Sequence, residues 1–227
     1  MAAAGATERG PTERGPTERG PTERGPTDAQ AADSGGALLL AAGRGARFGA
    51  DKRLHVMADG NPVILATAKR YAEVFARFTV VLRPGETDIA KMLADELGER
   101  APVTVYAEAA HLGMGHSLAS GVRQITDWTY VFVALADMPF VTTDTLRRLK
   151  RAMAPDTIIL PTLDGKPGHP VGFANSFFAE LRQCRGDAGA RQVIAAHPGK
   201  VTRVKVSDSG VLRDIDRPAD LDISELG

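Results

Sequence analysis

A glycine-rich stretch directly after the first apolar run of the chain combines backbone flexibility with positive charge. The apolar run is residues 37–42, and the stretch from Gly43 to Lys52 reads GRGARFGADK. Glycines let backbone N–H groups approach phosphate oxygens closely, and Arg44, Arg47 and Lys52 supply mobile cations. The stretch therefore predicts a loop that binds a triphosphate. A glycine-rich turn with solvated basic side chains is the alternative interpretation of the same residues.

Two familiar phosphate-binding loops do not fit this stretch. A dinucleotide-binding loop needs a third glycine at the position of Phe48 and then a helix, whereas Gly49 comes one residue later. A Walker loop needs Gly-Lys followed by Ser or Thr, and the stretch contains no such sequence. The loop is therefore expected to be of a third kind.

Short apolar runs alternate with amphipathic stretches along the rest of the chain. The apolar runs predict strands at residues 37–42, 78–82, 103–106, 130–136, 157–160 and 201–206. The amphipathic stretches predict helices at residues 62–75, 88–97, 116–125, 143–153, 176–182 and 187–195. This alternation indicates an α/β fold in which helices cover a mostly parallel sheet, and ligands bind such sheets at the carboxyl ends of the strands.

Two groups of aspartates have the chemistry to coordinate a cation. Asp137 ends the most apolar predicted strand, where a carboxylate can face a ligand and bind Mg²⁺. Its alternative role is that of a turn residue before the next helix. Asp214, Asp216 and Asp220 surround Pro218, and the alternative for Asp216 is the capping of a short helix.

Two glycine-containing segments have polar groups suited to binding anions. Residues 113–117 precede a predicted helix, so the N–H groups near Gly115 and Ser117 are available either to a nucleotide or as an ordinary cap. Residues 186–191 read GDAGAR and place Arg191 in the first turns of another helix, where an acceptor phosphate would be attracted by the cation and by the N–H groups.

The segment LLLAAGRGARFGADK resembles the signature loop of the MobA-like NTP transferases, especially the molybdenum-cofactor cytidylyl- and guanylyltransferases. Later segments resemble the cytidylyltransferase-like branch in order: GMGHSLASGV, ALADMPFV, GKPGHPVGF, GDAGAR and DIDRPADL. The resemblance implies a three-layer α/β/α Rossmann-like nucleotidyltransferase fold over residues 36–227. It also implies transfer of a nucleoside monophosphate to a phosphorylated acceptor, with release of pyrophosphate. One departure is Ala136, where the family often has Gly.

The same resemblance implies roles for individual residues. The implied catalytic residues are Arg47, Lys52 and Asp137, and the implied ligands of a Mg²⁺ cofactor are Asp137 and Asp216. The implied nucleotide-binding residues are Ala41, Ala42, Gly43, Arg44, Gly45, Lys52, Gly115 and Ser117. The implied acceptor-binding residues are His169, Asp187 and Arg191. For His169, a buried histidine with satisfied hydrogen bonds is the alternative.

Substrates and partners also follow from the resemblance. The implied substrates are a nucleoside triphosphate and a phosphorylated pterin-type acceptor, best matched by molybdopterin. A molybdenum hydroxylase or its chaperone is the implied protein partner. CTP is expected over GTP, because the guanylyl branch typically has a second glycine where Ala42 stands and a Cβ there narrows the space for the base.

Three other functions compete with this one. They are a nucleotidyltransferase that uses GTP or a sugar or alditol phosphate, a nicotinamide-dependent oxidoreductase related to the family, and a non-catalytic nucleotide-binding module. A cationic loop with a carboxylate at Asp137 favours a triphosphate and a metal, whereas a nicotinamide does not need Asp137. The joint presence of Arg47, Lys52 and Asp137 argues against a non-catalytic module.

The start of the chain differs from the rest in composition. Residues 7–26 are four copies of Thr-Glu-Arg-Gly-Pro, which contain no apolar side chain to bury. Ordering such a segment costs chain entropy without compensation, so residues 1–35 are predicted to be a disordered low-complexity tail before a domain at 36–227.

Charge and cysteine content narrow the partners further. The 28 basic residues balance 28 acidic ones, so the chain lacks the positive field that nucleic acids or membrane surfaces require. Its apolar runs are shorter than the roughly 20 residues that cross a bilayer. The single Cys184 has no partner for an internal disulfide, so a reducing, cytoplasmic location is expected.

Overall fold

The computed structural model describes Met1, residues 34–43 and residues 51–216 of the chain. Its strands are β1 (Gly36–Leu40), β2 (Arg77–Leu82), β3 (Val103–Tyr106), β4 (Tyr130–Leu135), β5 (Ile158–Leu163), β6 (Lys166–Pro167), β7 (Val171–Ala174) and β8 (Val201–Lys205). Its α-helices are α1 (Val63–Val74), α2 (Thr87–Leu97), α3 (Met114–Gln124), α4 (Thr143–Arg151), α5 (Phe178–Leu181) and α6 (Arg191–Ala196). The predicted α/β class is therefore confirmed.

The eight strands found among the described residues form one open, mixed sheet. Its order is β3-β2-β1-β4-β7-β5-β6, and β8 pairs with β5. Strands β3, β2, β1 and β4 are parallel to one another, and β5 is parallel to β8. Strand β7 is antiparallel to both β4 and β5. The carboxyl ends of β1 and β4 consequently lie side by side, with Leu40 opposite Leu135.

Two layers of helices cover the sheet, which makes the fold three-layered. Helices α1, α2 and α4 pack on the face that contains Leu39 and Phe132. Helices α3, α5 and α6 pack on the opposite face, with Leu38 and Val133. Because successive side chains of a strand point to opposite faces, the unbroken apolar sequence of β1 serves both layers.

Strand β7 was not among the predicted strands. The run is only four residues long and contains Gly172, which weakens a sequence signal for a strand. A Cβ at Gly172 would lie 2.6 Å from a ring atom of Phe132 on the neighbouring strand. The glycine thus permits close packing of β7 that local sequence patterns do not indicate.

The two predicted helices at 176–182 and 187–195 are shorter in the structure. A 3₁₀ turn (Asn175–Phe177) leads into the four-residue α5. Gly186 and Gly189 both have positive φ, at 61° and 55°, so the backbone before α6 is not helical. Arg191 is therefore the first residue of α6 rather than a residue inside a longer helix.

The predicted tail lies outside the described residues, apart from Met1, Ser34 and Gly35. The N–H group of Thr129 donates to the carbonyl of Ser34 over 3.2 Å, and the ring of Tyr130 packs against Gly35. Throughout the described parts of the chain, helices fall short of the length and apolar character needed to span a membrane.

Candidate active site

The carboxyl ends of β1 and β4 bring the glycine-rich loop and Asp137 to the same edge of the sheet. The N–H group of Ala136 donates to the carbonyl of Leu40 over 3.1 Å, which extends the pairing of the two strands by one residue. The chain leaves β1 towards Gly43 and leaves β4 at Asp137. Parallel pairing of two buried strands therefore positions the phosphate-loop candidate beside the metal-ligand candidate.

Lys52 joins the two aspartates that were expected to bind a metal. Its Nζ lies 2.7 Å from Oδ2 of Asp137 and 2.9 Å from Oδ1 of Asp216. Asp216 reaches this place because the N–H group of the preceding Ile215 donates to the carbonyl of Asp137 over 2.9 Å. Burial opposes the charge on Lys52, but the hydrogen bonds to both carboxylates outweigh burial and raise its pKa. The residue stays positively charged.

The predicted mobility of Lys52 is not what the structure shows. Its ammonium is held in two ion pairs, and the side chain is 14% exposed. Lys52 also begins a 3₁₀ turn (Lys52–Leu54) that is capped by the carboxylate of Asp51. The backbone of residues 51–54 is therefore held by hydrogen bonds as well.

Asp214 adds a third carboxylate to the pair. Asp137, Asp214 and Asp216 each offer an oxygen, and these oxygens lie within 4.8 Å of one another. Burial, together with the negative charges of Asp216 and Asp137, raises the pKa of Asp214. Oδ1 of Asp137 is buried and has no hydrogen-bond partner among the described residues. Oxygen donors in this arrangement fit a hard divalent cation such as Mg²⁺.

A cavity of about 340 Å³ lies beside this cluster. Ala42, Gly43 and Ser117, three of the expected nucleotide-binding residues, line it together with Asp137. Ser117 is buried in the first turns of α3. Among the described residues, no atom lies within 4 Å of the position of a Cβ on Gly43.

Two other expected nucleotide contacts are already used by the protein itself. The N–H group of Ala41 donates to Val81, and its carbonyl accepts from the guanidinium of Arg53. The N–H group of Gly115 donates to the carbonyl of Gly186 over 2.7 Å, so it is not the free donor that the sequence predicted. The N–H groups of Ala41 and Gly115 therefore both donate within the protein. Arg44, Gly45 and Arg47 lie outside the described residues.

A second cavity, of about 470 Å³, has the three expected acceptor-binding residues in its wall. His169, Asp187 and Arg191 line it, and Arg203 of β8 adds a cation that the sequence analysis did not single out. Much of the remaining wall is aliphatic, and its members are Leu40, Leu118, Val133, Leu135, Leu160, Val171 and Ile194. The two cavities share Leu40, Met114, Leu135 and Asp187, so they adjoin each other.

His169 is held in the wall of the second cavity as a neutral imidazole. Burial lowers its pKa, and the positive charge of Arg191 acts in the same direction, against the opposing charge of Asp137. Its backbone N–H group donates to the carbonyl of Val211 over 2.8 Å. Its Nδ1 is buried without a hydrogen-bond partner in the part of the chain that the structure describes. The side chain of His169 also has a hydrogen bond with the backbone of Val133, so Nδ1 is the ring nitrogen that faces a ligand in our hypothesis.

The start of α3 and the segment before α6 interlock between the two cavities. The N–H group of Gly186 donates to Nδ1 of His116 over 3.2 Å, which complements the bond from Gly115 to Gly186. Gly113 has φ of 119°, and a Cβ there would lie 2.4 Å from the backbone of Gly186. The glycines of GMGHS thus serve a close approach of two backbones.

Arg53 is the buried charged residue that the sequence analysis did not assign to the site. It is 4% exposed and contacts both Ala41 and Asp51, on either side of the glycine-rich loop. In the sequence, Arg53 directly follows Lys52 and is one more basic residue after a glycine-rich stretch. No local pattern distinguishes a buried arginine from a solvated one.

Comparison with known proteins identifies similar sequences and structures. Residues 37–201 match the MobA-like NTP transferase domain. The purine catabolism protein PucB of Bacillus subtilis (strain 168) is 32% identical over 117 residues, which are 50% of this chain and 57% of PucB. The bifunctional protein GlmU of Pseudomonas aeruginosa (strain LESB58) is 30% identical over 166 residues, which are 70% of this chain and 32% of GlmU. The chain thus spans just over half of PucB and about a third of GlmU.

Solved structures share the fold. Rv0371c from Mycobacterium tuberculosis H37Rv superimposes with a TM-score of 0.68 at 26% identity, over 81% of this chain and 93% of that one. A structure of Rv0371C in complex with manganese superimposes with a TM-score of 0.61 at 24% identity, over 75% of this chain and 86% of that one.

Proposed function

The chain belongs to the MobA-like NTP transferase family, and from that premise we propose that it transfers the CMP unit of CTP to a phosphorylated acceptor. The observation that carries the proposal is the contact of Lys52 with both Asp137 and Asp216, where Asp137 lines the first of two adjoining cavities. One cavity receives the triphosphate and the other receives the acceptor. The reacting groups then meet beside a cation and a cluster of carboxylates.

The proposed reaction is a single displacement at phosphorus. An oxygen of the acceptor phosphate attacks the α-phosphate of CTP, a new P–O bond forms, and the bond to the β-phosphate breaks to release pyrophosphate. No covalent intermediate with the protein is needed. The contributions of the chain are alignment of the two substrates and stabilisation of negative charge, to which Lys52 contributes directly.

A divalent metal, which we propose to be Mg²⁺, fits the carboxylate cluster. Asp137 and Asp216 would hold it, and Asp214 is near enough to assist. Bound there, the ion would neutralise charge on the triphosphate. The unpartnered Oδ1 of Asp137 supports this assignment, because a buried carboxylate oxygen without a donor is costly unless a cation satisfies it.

We propose a pterin-type acceptor, with molybdopterin as the best candidate. The aliphatic wall of the second cavity suits a flat heterocycle, and the neutral His169 can hydrogen-bond to one. Arg191 and Arg203 in the same wall suit the anionic part of the acceptor. A molybdenum hydroxylase or its chaperone is the proposed recipient of the product.

A sugar phosphate is the second candidate for the acceptor, because the family resemblance leaves it open as an alternative. A sugar carries many hydroxyl groups, and each needs a hydrogen-bond partner when it is buried. The polar side chains in the wall of the second cavity are His169, Asp187, Arg191 and Arg203, and aliphatic side chains outnumber them. This chemistry ranks the sugar phosphate below the pterin.

The test combines binding and turnover. A thermal-shift panel of CTP, GTP, ATP, UTP and NADPH, each with and without Mg²⁺, reports which ligand binds the native protein. We expect the largest Mg²⁺-dependent rise with CTP, because the Cβ of the buried Ala42 limits the space beside the loop. Pyrophosphate release is then measured with molybdopterin or a sugar 1-phosphate. Equal or larger stabilisation by GTP would refute the CTP assignment, and a rise with NADPH alone would refute nucleotidyl transfer.

A further inference from the structure

Four charged residues form a closed ring beside the glycine-rich loop. Arg53 pairs with both Asp51 and Glu86, and Arg83 pairs with the same two carboxylates. Nη2 of Arg83 lies 2.9 Å from Asp51, and its Nε lies 2.7 Å from Glu86. Each cation therefore touches both anions, and the charges of the ring sum to zero.

The guanidinium of Arg53 is completely used within the protein. It makes five hydrogen bonds, two with Asp51, two with Glu86 and one with the carbonyl of Ala41. A guanidinium has five N–H donors, so none is left for a substrate. The hydrogen bonds from Arg53 lower the pKa of Asp51, and together with Arg83 they overcome burial to lower the pKa of Glu86. Both carboxylates of the ring are therefore charged at neutral pH.

The partners of Arg53 come from three separate parts of the fold. Ala41 follows β1 at the start of the glycine-rich loop, and Asp51 stands at the end of that loop. Glu86 directly precedes α2. One planar group thus spans both ends of the loop and ties them to a helix that packs on the sheet.

We propose that Arg53 is a positioning residue that sets the separation of the two loop ends and thereby places the adjacent Lys52 on Asp137 and Asp216. This inference rests on the proposed nucleotidyl transfer, in which Lys52 stabilises the phosphates. Arg53 acts through Lys52 and touches no substrate itself. Replacement of Arg53 should therefore weaken triphosphate binding only in a protein that still contains Lys52.

The substitution Arg53→Lys separates this role from charge alone. Lysine keeps the positive charge but offers three donors from a single nitrogen, so at most three of the five acceptors can be satisfied. The matched control is Arg77→Lys, because Arg77 makes a single exposed ion pair, with Asp127 at 2.7 Å. The control leaves the loop ends untouched and should not alter CTP binding or turnover.

The decisive experiment is a double-mutant cycle with Lys52→Ala. The dissociation constant of CTP with Mg²⁺, the turnover rate and the melting temperature are measured for the wild type, both single variants and the double variant. We expect Arg53→Lys to weaken CTP binding about tenfold in the wild-type background and less than about twofold in the Lys52→Ala background. Glu86→Gln removes one carboxylate charge of the ring and keeps Arg53, and its loss of CTP affinity should depend on Lys52 in the same way. This variant tests the inference if Arg53→Lys does not fold.

The outcomes separate this inference from the proposed function. An equal loss of CTP affinity in both backgrounds would mean that Arg53 acts independently of Lys52. Unchanged CTP affinity in Arg53→Lys would mean that Arg53 does not influence triphosphate binding. Either result overturns the inference and leaves the proposed function intact. A wild-type protein that binds no nucleoside triphosphate overturns the proposed function and the inference together.

Discussion

The ammonium of Lys52 lies 2.7 Å from Oδ2 of Asp137, one of the two carboxylates that the proposed metal would also use. The second contact, to Asp216 at 2.9 Å, involves the other proposed ligand. A lysine and a divalent cation therefore compete for the same two carboxylates. We expect triphosphate binding to weaken this competition, because the phosphates would also attract the ammonium.

Removal of the ammonium should affect metal binding and turnover in opposite directions. In Lys52→Gln we expect the affinity for Mn²⁺, measured without nucleotide by the electron paramagnetic resonance of the free ion, to rise about fivefold to tenfold, because partly buried ion pairs contribute on the order of 1 kcal/mol. Turnover should fall about a hundredfold or more, since a cation beside the phosphates is lost.

Lys91→Gln is the matched control for this experiment, because the ion pair of Lys91 with Asp95 is largely exposed and lies on α2. Both Mn²⁺ affinity and turnover should stay at wild-type values in this variant. Weaker Mn²⁺ binding by Lys52→Gln would contradict the competition.

The two metal-ligand candidates should differ in importance. Asp137→Asn removes the charge of the carboxylate whose Oδ1 is buried and unpartnered in the described structure, so we expect a loss of about 3 kcal/mol or more in transition-state stabilisation. Asp216→Asn should be less damaging, because its side chain is 47% exposed and an amide oxygen can still coordinate a hard cation. The measurement is the rate at increasing Mg²⁺ concentration for both variants.

Asp95→Asn, an exposed aspartate on α2, serves as the control for the loss of one negative charge. A larger defect in Asp216→Asn than in Asp137→Asn would reverse the assignment. Asp214, the third carboxylate of the cluster, would then be the next residue to test.

His169 should make stability depend on pH. Burial lowers its pKa in the folded protein, whereas the unfolded chain has the ordinary value of 6.5. Below about pH 6.5 the unfolded state therefore binds the proton more readily, and the free energy of unfolding falls by up to about 1.4 kcal/mol per pH unit. Above that pH this contribution is constant. Urea unfolding of the wild type and of His169→Gln between pH 5 and 8 measures it.

The variant His169→Gln has an amide that does not titrate, so its stability should decrease less steeply below pH 6.5. His111→Gln, at an exposed histidine, is the control and should keep the slope of the wild type. Identical slopes for the wild type and His169→Gln would show that His169 does not contribute.

Two truncations should locate the start of the folded domain. Deletion of residues 1–33 removes the Thr-Glu-Arg-Gly-Pro copies and should leave turnover and melting temperature unchanged, because the copies contain no apolar side chains to bury. Deletion of residues 1–35 also removes the hydrogen bonds of Ser34 with Thr129 and the packing of Gly35 on Tyr130. We expect the longer deletion to lower the melting temperature by about 2–4 °C. A lower melting temperature after the shorter deletion would show that the repeats contact the domain.

Local patterns in the sequence were sufficient for the architecture and for part of the site. The unbroken apolar runs of β1 and β4 require burial on both faces, so they indicate a covered parallel sheet before any contact is known. The place of Asp137 follows from the same reasoning, since it directly succeeds β4 and a strand end of such a sheet faces ligands.

Tertiary structure alone decided which groups meet and which of them remain free. Three features depend on contacts between distant parts of the chain. They are the insertion of β7 between β4 and β5, the approach of Asp216 to Lys52 and the burial of Arg53. The N–H group of Gly115 looked available because nothing in its own helix uses it, yet Gly186 does. Hydrogen bonds and ion pairs of this kind form only after the chain has folded, because side-chain periodicity specifies which face is buried and not which partner lies there.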